Sequence, residues 1–235
     1  MDTCLKENFL IINDSPIELS NMTIDSETIR NAIVNTNKTI NKIIVSTENM
    51  SFNLFDAIDF RNLSGVIGEL FANELVLLNN KLCRNPHFHG YPDIIQVSTQ
   101  EMHQYVNGAS VYEFINYKFG GIEVKNTFGT KKTGSELFKG DTRILDINSK
   151  LDWKAHHRKT NYLLAIMSDF IDGIPTVVAA FFSADLNEED WNKKQEPKEG
   201  SAMTSFTAIS NQGYKKMLKG LKVCIDDERY TSFFK

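Results

Sequence analysis

The segment Tyr162–Phe182 constrains the fold of this chain more than any other. Tyr162–Ile171 is a mostly apolar run of strand length, Asp172-Gly173 has the chemistry of a tight hairpin turn, and Thr176–Phe182 reads as the return strand. Upstream, Leu63, Val66, Ile67, Leu70, Phe71, Leu75 and Leu78 recur at three- and four-residue spacing, which predicts an amphipathic helix over Asn62–Asn79. A chain that combines the two belongs to the α/β (α+β) class.

The remaining segments fill in around that pair. Residues 9–12 form a short apolar piece ended by Asn13-Asp14-Ser15-Pro16. Asp25 or Ser26 can cap a helix carrying Ile29, Ile33 and Val34, continued by Ile40, Ile43 and Ile44, so residues 1–60 read as a mainly helical N-terminal layer without chemistry. Residues 80–92 are a polar loop, Ser98–Asn107 a helical turn or two ended by Gly108, and Ser110–Tyr117 a β segment. Asn187–Asp190 suits a helix start, with Pro197 at its end. Met203–Ile209 reads as a strand, Ser210 caps a basic helix through Lys219, Leu221–Ile225 is a last strand, and a terminal turn packs Tyr230, Phe233 and Phe234. Without internal repeats or a long Gly/Ser linker, the expectation is one domain over 1–235.

Bulk properties narrow the class. The 235 residues are 41% hydrophobic, enough for a sizeable core, and no apolar run approaches the roughly 20 residues that span a bilayer. No basic-then-apolar leader opens the chain, and Cys4, Cys83 and Cys224 are scattered as reduced thiols would be, so a cytoplasmic location is expected. Cys83 with His87 and His89 is a poor zinc candidate in an irregular loop. The net charge of −4 argues against indiscriminate nucleic-acid binding, but its distribution is uneven: residues 118–159 carry ten Lys or Arg against five Asp or Glu, and residues 1–60 carry four against nine.

The chemistry concentrates between His89 and Lys125. Asp93 opens one β-branched run, and Glu123 and Lys125 sit in another beyond Gly120-Gly121. Strand parity points Glu123 and Lys125 to one side and Ile122 and Val124 into a core. If the two strands are neighbours, two carboxylates and an ammonium meet, and oxygen-only ligands at that spacing favour Mg²⁺, with Mn²⁺ able to substitute. The plain alternative is a hairpin whose charged side faces water. Asn126-Thr127-Phe128-Gly129-Thr130-Lys131-Lys132-Thr133-Gly134 has the composition of a loop tracking a phosphodiester backbone, and 151–161, with Lys154, His156, His157, Arg158 and Lys159, is a second basic cluster.

Pro92-Asp93, 29 intervening residues, then Glu123-Val124-Lys125 resembles the motif of the PD-(D/E)XK nuclease superfamily, and more narrowly the type II restriction endonucleases. The resemblance implies a restriction-endonuclease-like core over about 62–182, with a central mixed sheet flanked by helices. It makes Asp93, Glu123 and the Val124 carbonyl Mg²⁺ ligands, and gives Lys125 the task of positioning or deprotonating the attacking water. It also implies a first-helix carboxylate at the site. Glycine spacing from Gly65 points to Glu69 and periodicity points to Glu74; the glycine spacing makes Glu69 the expected residue. DNA contacts are expected from Asn126, Thr127, Lys131, Lys132, Arg143, Lys154, His156, His157, Arg158 and Lys159. The resemblance further implies double-stranded DNA as substrate, a homodimer, and a companion DNA methyltransferase acting on the same site. The alternatives are a repair, junction or end-processing nuclease of the same superfamily, and a non-catalytic DNA-binding or immunity protein.

Overall fold

A computed structural model describes residues 8–128, 151–197, 199 and 205–232. In chain order the elements are β1 (Phe9–Ile11), β2 (Ile17–Leu19), β3 (Met22–Ile24), α1 (Ser26–Glu48), α2 (Leu54–Ala57), α3 (Phe60–Leu77), β4 (Leu82–Arg84), β5 (Ile94–Gln96) and α4 (Gln100–Gly108). They continue with β6 (Gly121–Phe128), β7 (Lys154–Ala155), β8 (Leu163–Ile171), β9 (Ile174–Ser183), β10 (Thr207–Ala208), α5 (Asn211–Lys219), β11 (Leu221–Ile225) and α6 (Glu228–Thr231). Seven strands make one mixed sheet in the order β1-β11-β9-β8-β6-β5-β4. Within this sheet β6 and β8 pair in parallel, and the other described neighbours are antiparallel.

The β8–β9 hairpin is the spine of this sheet. Leu163–Phe170 is buried at every position, as a strand covered on both faces must be. Asp172 (φ 51°) and Gly173 (φ 79°) make the turn, and Gly173 adopts this conformation without the Cβ clash that other residues suffer. The register slips at Val178, where Met167 pairs with Ala179 but Ser168 with Val177. There the buried Asn37 of α1 takes over: its Nδ2 donates to the Val177 carbonyl (3.1 Å) and its Oδ1 accepts from the Val177 N–H (2.8 Å). A side-chain amide thus pins the first long helix to the sheet.

Helices α1 and α3 pack on each other and against β9 and β6 respectively, and α5 packs on β9. Asp25 caps α1 and Asp59 caps α3. From α3, Leu63, Ile67, Phe71 and Leu75 are fully buried, whereas Val66 and the capping residue Leu78 are exposed. A smaller apolar cluster of Ile95, Val97, Phe114 and Tyr117 packs under α4 with Tyr105 and Phe119.

Several expectations are corrected. The 1–60 layer is dominated by α1, but it also lends β1 to the edge of the main sheet and folds β2–β3 into a hairpin. The 80–92 loop contains β4, paired with β5. Ser110–Tyr117 is not a strand: Val111–Phe114 is a 3₁₀ turn closed by a capping box in which Glu113 accepts from the Ser110 N–H (2.6 Å) and hydroxyl (2.9 Å). That reciprocal pair outcompetes the β propensity of Val111 and Tyr112, both of which stay exposed. The acidic 187–190 segment makes one 3₁₀ turn rather than a helix to Pro197, because the chain is drawn back at once by buried Trp191, whose indole donates to the Thr160 carbonyl (3.1 Å). Of the 203–209 strand, the described part reduces to β10 paired with β7, flanked by single bridges. Phe233 and Phe234 lie outside the described residues.

Candidate active site

Asp93 and Glu123 meet because of where β5 and β6 begin. The antiparallel register Ile94↔Ile122 sets Asp93, one residue before β5, opposite Glu123. Close approach of the strands depends on Gly121, where an added Cβ would fall 2.0 Å from the Ile94 carbonyl oxygen. Asn85 holds the incoming chain: its amide donates to the carbonyls of Pro92 (3.0 Å) and Phe114 (2.9 Å), and its N–H donates to the Asp93 carbonyl (3.0 Å). The Tyr91–Pro92 bond between these anchors is cis.

Lys125 joins the two acids. Its Nζ lies 2.6 Å from Glu123 Oε1 and 3.2 Å from Asp93 Oδ2. Asp93 Oδ2 also accepts from the Val124 N–H (2.9 Å), and Glu123 Oε2 faces the Asp93 N–H (3.3 Å). Glu123 donates its own N–H to Tyr162 beside β8, so the backbone groups of Val124 face the opposite edge and its carbonyl points to the Asp93 side.

Burial dominates the electrostatics. Glu123 is only 5% exposed, and its carboxyl is pushed up to about 7 by burial first, with the Asp93 charge adding to the effect and Lys125 opposing it. Burial also works against the Lys125 ammonium, but the attraction of Glu123 and Asp93 prevails and its pKa rises. The triad still opens to solvent-filled space. Asp93, Glu123 and Lys125 line a groove of about 550 Å³ shared with Glu69, His156 and His157. A second recess of about 160 Å³ behind it is lined by Ser64, Glu69, Arg84, Asp93, Val124 and Lys125.

The two helix carboxylates have different surroundings. Glu69 reaches both cavities, but it is ion-paired with Arg84 of β4. Glu74 lies instead at the α1–α3 interface, facing the Thr39 hydroxyl (3.4 Å). Among the described residues, no three His, Cys, Asp or Glu side chains converge in a metal-ligating cluster. The groups that fit a divalent ion are Asp93, Glu123 and the Val124 carbonyl, and Glu69, whose exposed side chain pairs with Arg84, lines the same two cavities. Their fit rests on two acids facing each other with only one ammonium between them, one of them buried enough to resist ionisation without further positive charge.

The expected DNA contacts separate. His156 and His157 line the groove. His157 is lowered by burial first and then by His156, Lys125 and Lys159, which favours its neutral form; its Nδ1 accepts from the Lys159 N–H (3.2 Å) and its ring meets Tyr91 edge-on at 4.6 Å. Lys159 leaves its side chain exposed. Lys154 sits 4.7 Å over the Phe206 ring, and Arg158 donates to the Glu188 carbonyl (2.5 Å), so both are engaged by the protein itself.

Asn126 and Thr127 belong to β6, which corrects the loop expected there. Asn126 donates to the Ser64 carbonyl (3.2 Å) and accepts from Ser168 (2.9 Å), while Ser64 donates to the Asn126 carbonyl (3.0 Å). Thr127 is buried and donates to the Phe128 carbonyl (3.3 Å). Lys131, Lys132 and Arg143 lie outside the described residues.

Arg84 and Tyr91 are site residues that sequence reasoning does not reach. Arg84 hides inside a stretch with the composition of a loop, and Tyr91 has a signal only in its adjacency to Pro92-Asp93. No helix among the described residues is long and apolar enough to cross a membrane. Comparisons with protein-family models, with curated proteins and with solved structures each found no match.

Proposed function

We propose that this chain is a Mg²⁺-dependent endodeoxyribonuclease of the PD-(D/E)XK type with a restriction-endonuclease-like core. The observation that carries the reading is the single ammonium of Lys125 between Asp93 and Glu123, at the mouth of an open groove that also bears His156 and His157. The narrower reading, a type II restriction enzyme acting as a homodimer on a short duplex site beside a companion methyltransferase, rests on the motif resemblance.

Asp93, Glu123 and the Val124 carbonyl are the groups that would hold Mg²⁺ (or Mn²⁺). When bound, the ion supplies charge neutralisation at the phosphate and a more acidic water. The protein's own groups do the rest. Lys125 keeps its proton while both acids face it, so it acts first as a donor that orients water or a phosphate oxygen and offsets the charge that develops there. His157, with Nδ1 occupied, presents Nε2–H as a neutral donor. Glu69, whose exposed side chain pairs with Arg84 and lines the same groove, would complete the metal shell or hold a second ion.

Incubation of supercoiled plasmid and phage DNA with the pure protein, in Mg²⁺ and then in EDTA, tests this directly. Discrete fragments that vanish in EDTA are expected from a site-specific enzyme. A Mg²⁺-dependent smear keeps the nuclease but removes the restriction reading. Intact DNA at every divalent concentration leaves a binding protein.

A further inference from the structure

A separate cavity of about 480 Å³ opens beside the groove, between the β2–β3 hairpin and the Gly120–Gly121 bend. Tyr91 forms a wall of both spaces. Its far walls are aromatic, from Tyr117, Phe119 and Tyr162, and among the described residues Lys118 is the one charged side chain lining it. The Lys118 ammonium stands 4.5 Å over the Tyr105 ring and 4.6 Å over that of Phe119.

Gln96 lines this cavity and is only 1% exposed. Its Nε2 is fixed by donation to the Phe119 carbonyl and to the Ser20 hydroxyl (2.5 Å). The first of these bonds settles which end of the amide is which, since two carbonyl oxygens would repel. Gln96 Oε1 is then left buried with no hydrogen-bond partner among the described residues. A buried acceptor without a donor is uncommon, and a ligand is one of the things that completes it.

We infer that this cavity takes a nucleobase turned out of the strand whose phosphate lies against Asp93 and Glu123, with Gln96 Oε1 accepting a base N–H. The inference rests on the nuclease reading for the phosphate end. The chemistry of the cavity itself selects a flat heterocycle: aromatic walls to stack on, an acceptor that requires an N–H donor, and a positive charge with no carboxylate among the described lining residues to repel an attached phosphate. The volume exceeds that of one base, which leaves room for its sugar. Tyr91, whose hydroxyl faces Asn161 Oδ1 at 3.5 Å, is the partition between base and phosphate.

The probes are dAMP, dGMP, dCMP and dTMP, with deoxyribose 5-phosphate as the baseless control. Each is titrated into the full-length protein in Ca²⁺ and monitored by saturation-transfer NMR and calorimetry. At least one mononucleotide is expected to bind ten-fold or more tightly than the sugar phosphate, with transfer strongest at base protons. Asn21→Trp fills the cavity from the exposed hairpin tip, and it should abolish that ten-fold advantage without moving the melting temperature. Gln96→Leu should weaken the preferred base most; if that variant fails to fold, the Asn21→Trp result decides alone. Equal binding of all five probes, or a base preference that survives Asn21→Trp, overturns the inference. Intact Mg²⁺-dependent plasmid cleavage with no base-dependent binding removes this proposal alone. Base-dependent binding without cleavage supports the cavity and removes the nuclease reading.

Discussion

Lys125 balances two acids with one ammonium, and that shortage of positive charge has measurable consequences. Glu123→Gln and Asp93→Asn each remove a carboxylate that would hold the metal, and Lys125→Met removes the donor. Losses of this kind cost about 10²–10⁴ in rate. Cleavage should therefore fall by at least that much in all three, while electrophoretic mobility shifts with DNA in Ca²⁺ persist. Loss of binding in step with cleavage would move these residues from chemistry to recognition. Glu123 adds a pH dependence. Its carboxyl titrates near 4.5 in the unfolded chain and is pushed up to about 7 in the folded one. The folded state thus favours the proton, and the stability gained by holding it is complete below pH 4.5 and lost as pH rises to about 7. Lys125, raised in the fold, titrates well above that window and does not mask it. In EDTA the melting temperature should fall between about pH 5 and about pH 7.5, Mg²⁺ should restore it at the upper end, and Glu123→Gln should flatten both responses. Parity along a strand is enough to place Glu123 with Lys125 and Val124 away from them. It cannot announce Arg84, whose importance comes from pairing with Glu69 across two elements.

Between residue and molecule, the elements that carry the site are held by a few polar clamps rather than by hydrophobic pattern alone. The Ser64–Asn126 exchange ties α3 to β6, Ser168 extends it to β8, and Asn37 ties α1 to the slipped register of β9. Periodicity makes α3, α5, β8, β9 and β11 legible, since each buries a stripe or face whose spacing the chain displays. It fails where short segments are fixed by tertiary partners. The Ser110–Glu113 box defeats a β-rich composition, and β4 is a strand because β5 is there to pair with it. Asn126 has the look of a loop residue because its polar partners, Ser64 and Ser168, are distant in sequence. The β8–β9 turn gives the element its clearest test. Gly173→Val places a β-branched residue at φ 79°, a conformation that costs an L-residue about 1–2 kcal/mol. Urea unfolding should show a loss of that size or somewhat more, with cleavage per folded molecule unchanged. A neutral result would mean that the hairpin is not the rigid spine of the sheet.

Across the whole molecule, the charge that the chain carries runs against the substrate proposed for it. A net charge of −4 repels DNA overall, so binding must rely on a local surface, and residues 118–159, with ten basic side chains against five acidic, are where the excess lies. Part of that excess is already engaged: Lys125 by Asp93 and Glu123, Lys118 by its aromatic rings, Arg158 by the Glu188 backbone carbonyl and Lys154 by Phe206. Lys131, Lys132, Lys139, Arg143 and Lys150 lie outside the described residues, so the salt dependence of binding measures how many of the ten basic side chains reach phosphate. Each phosphate contact steepens the plot of log affinity against log salt by about 0.9 on duplex DNA. Titrations of a labelled duplex in Ca²⁺ between about 50 and about 200 mM salt should accordingly give a slope whose magnitude, divided by about 0.9, counts those contacts. Lys159→Ala should lower it by about one if the exposed Lys159 touches the backbone. Lys154→Ala should leave it unchanged, because an ammonium seated on Phe206 contributes packing more than field. A steep slope that both variants reduce would show that these cations leave their protein partners when DNA arrives, and the duplex would then be read by a surface assembled on binding.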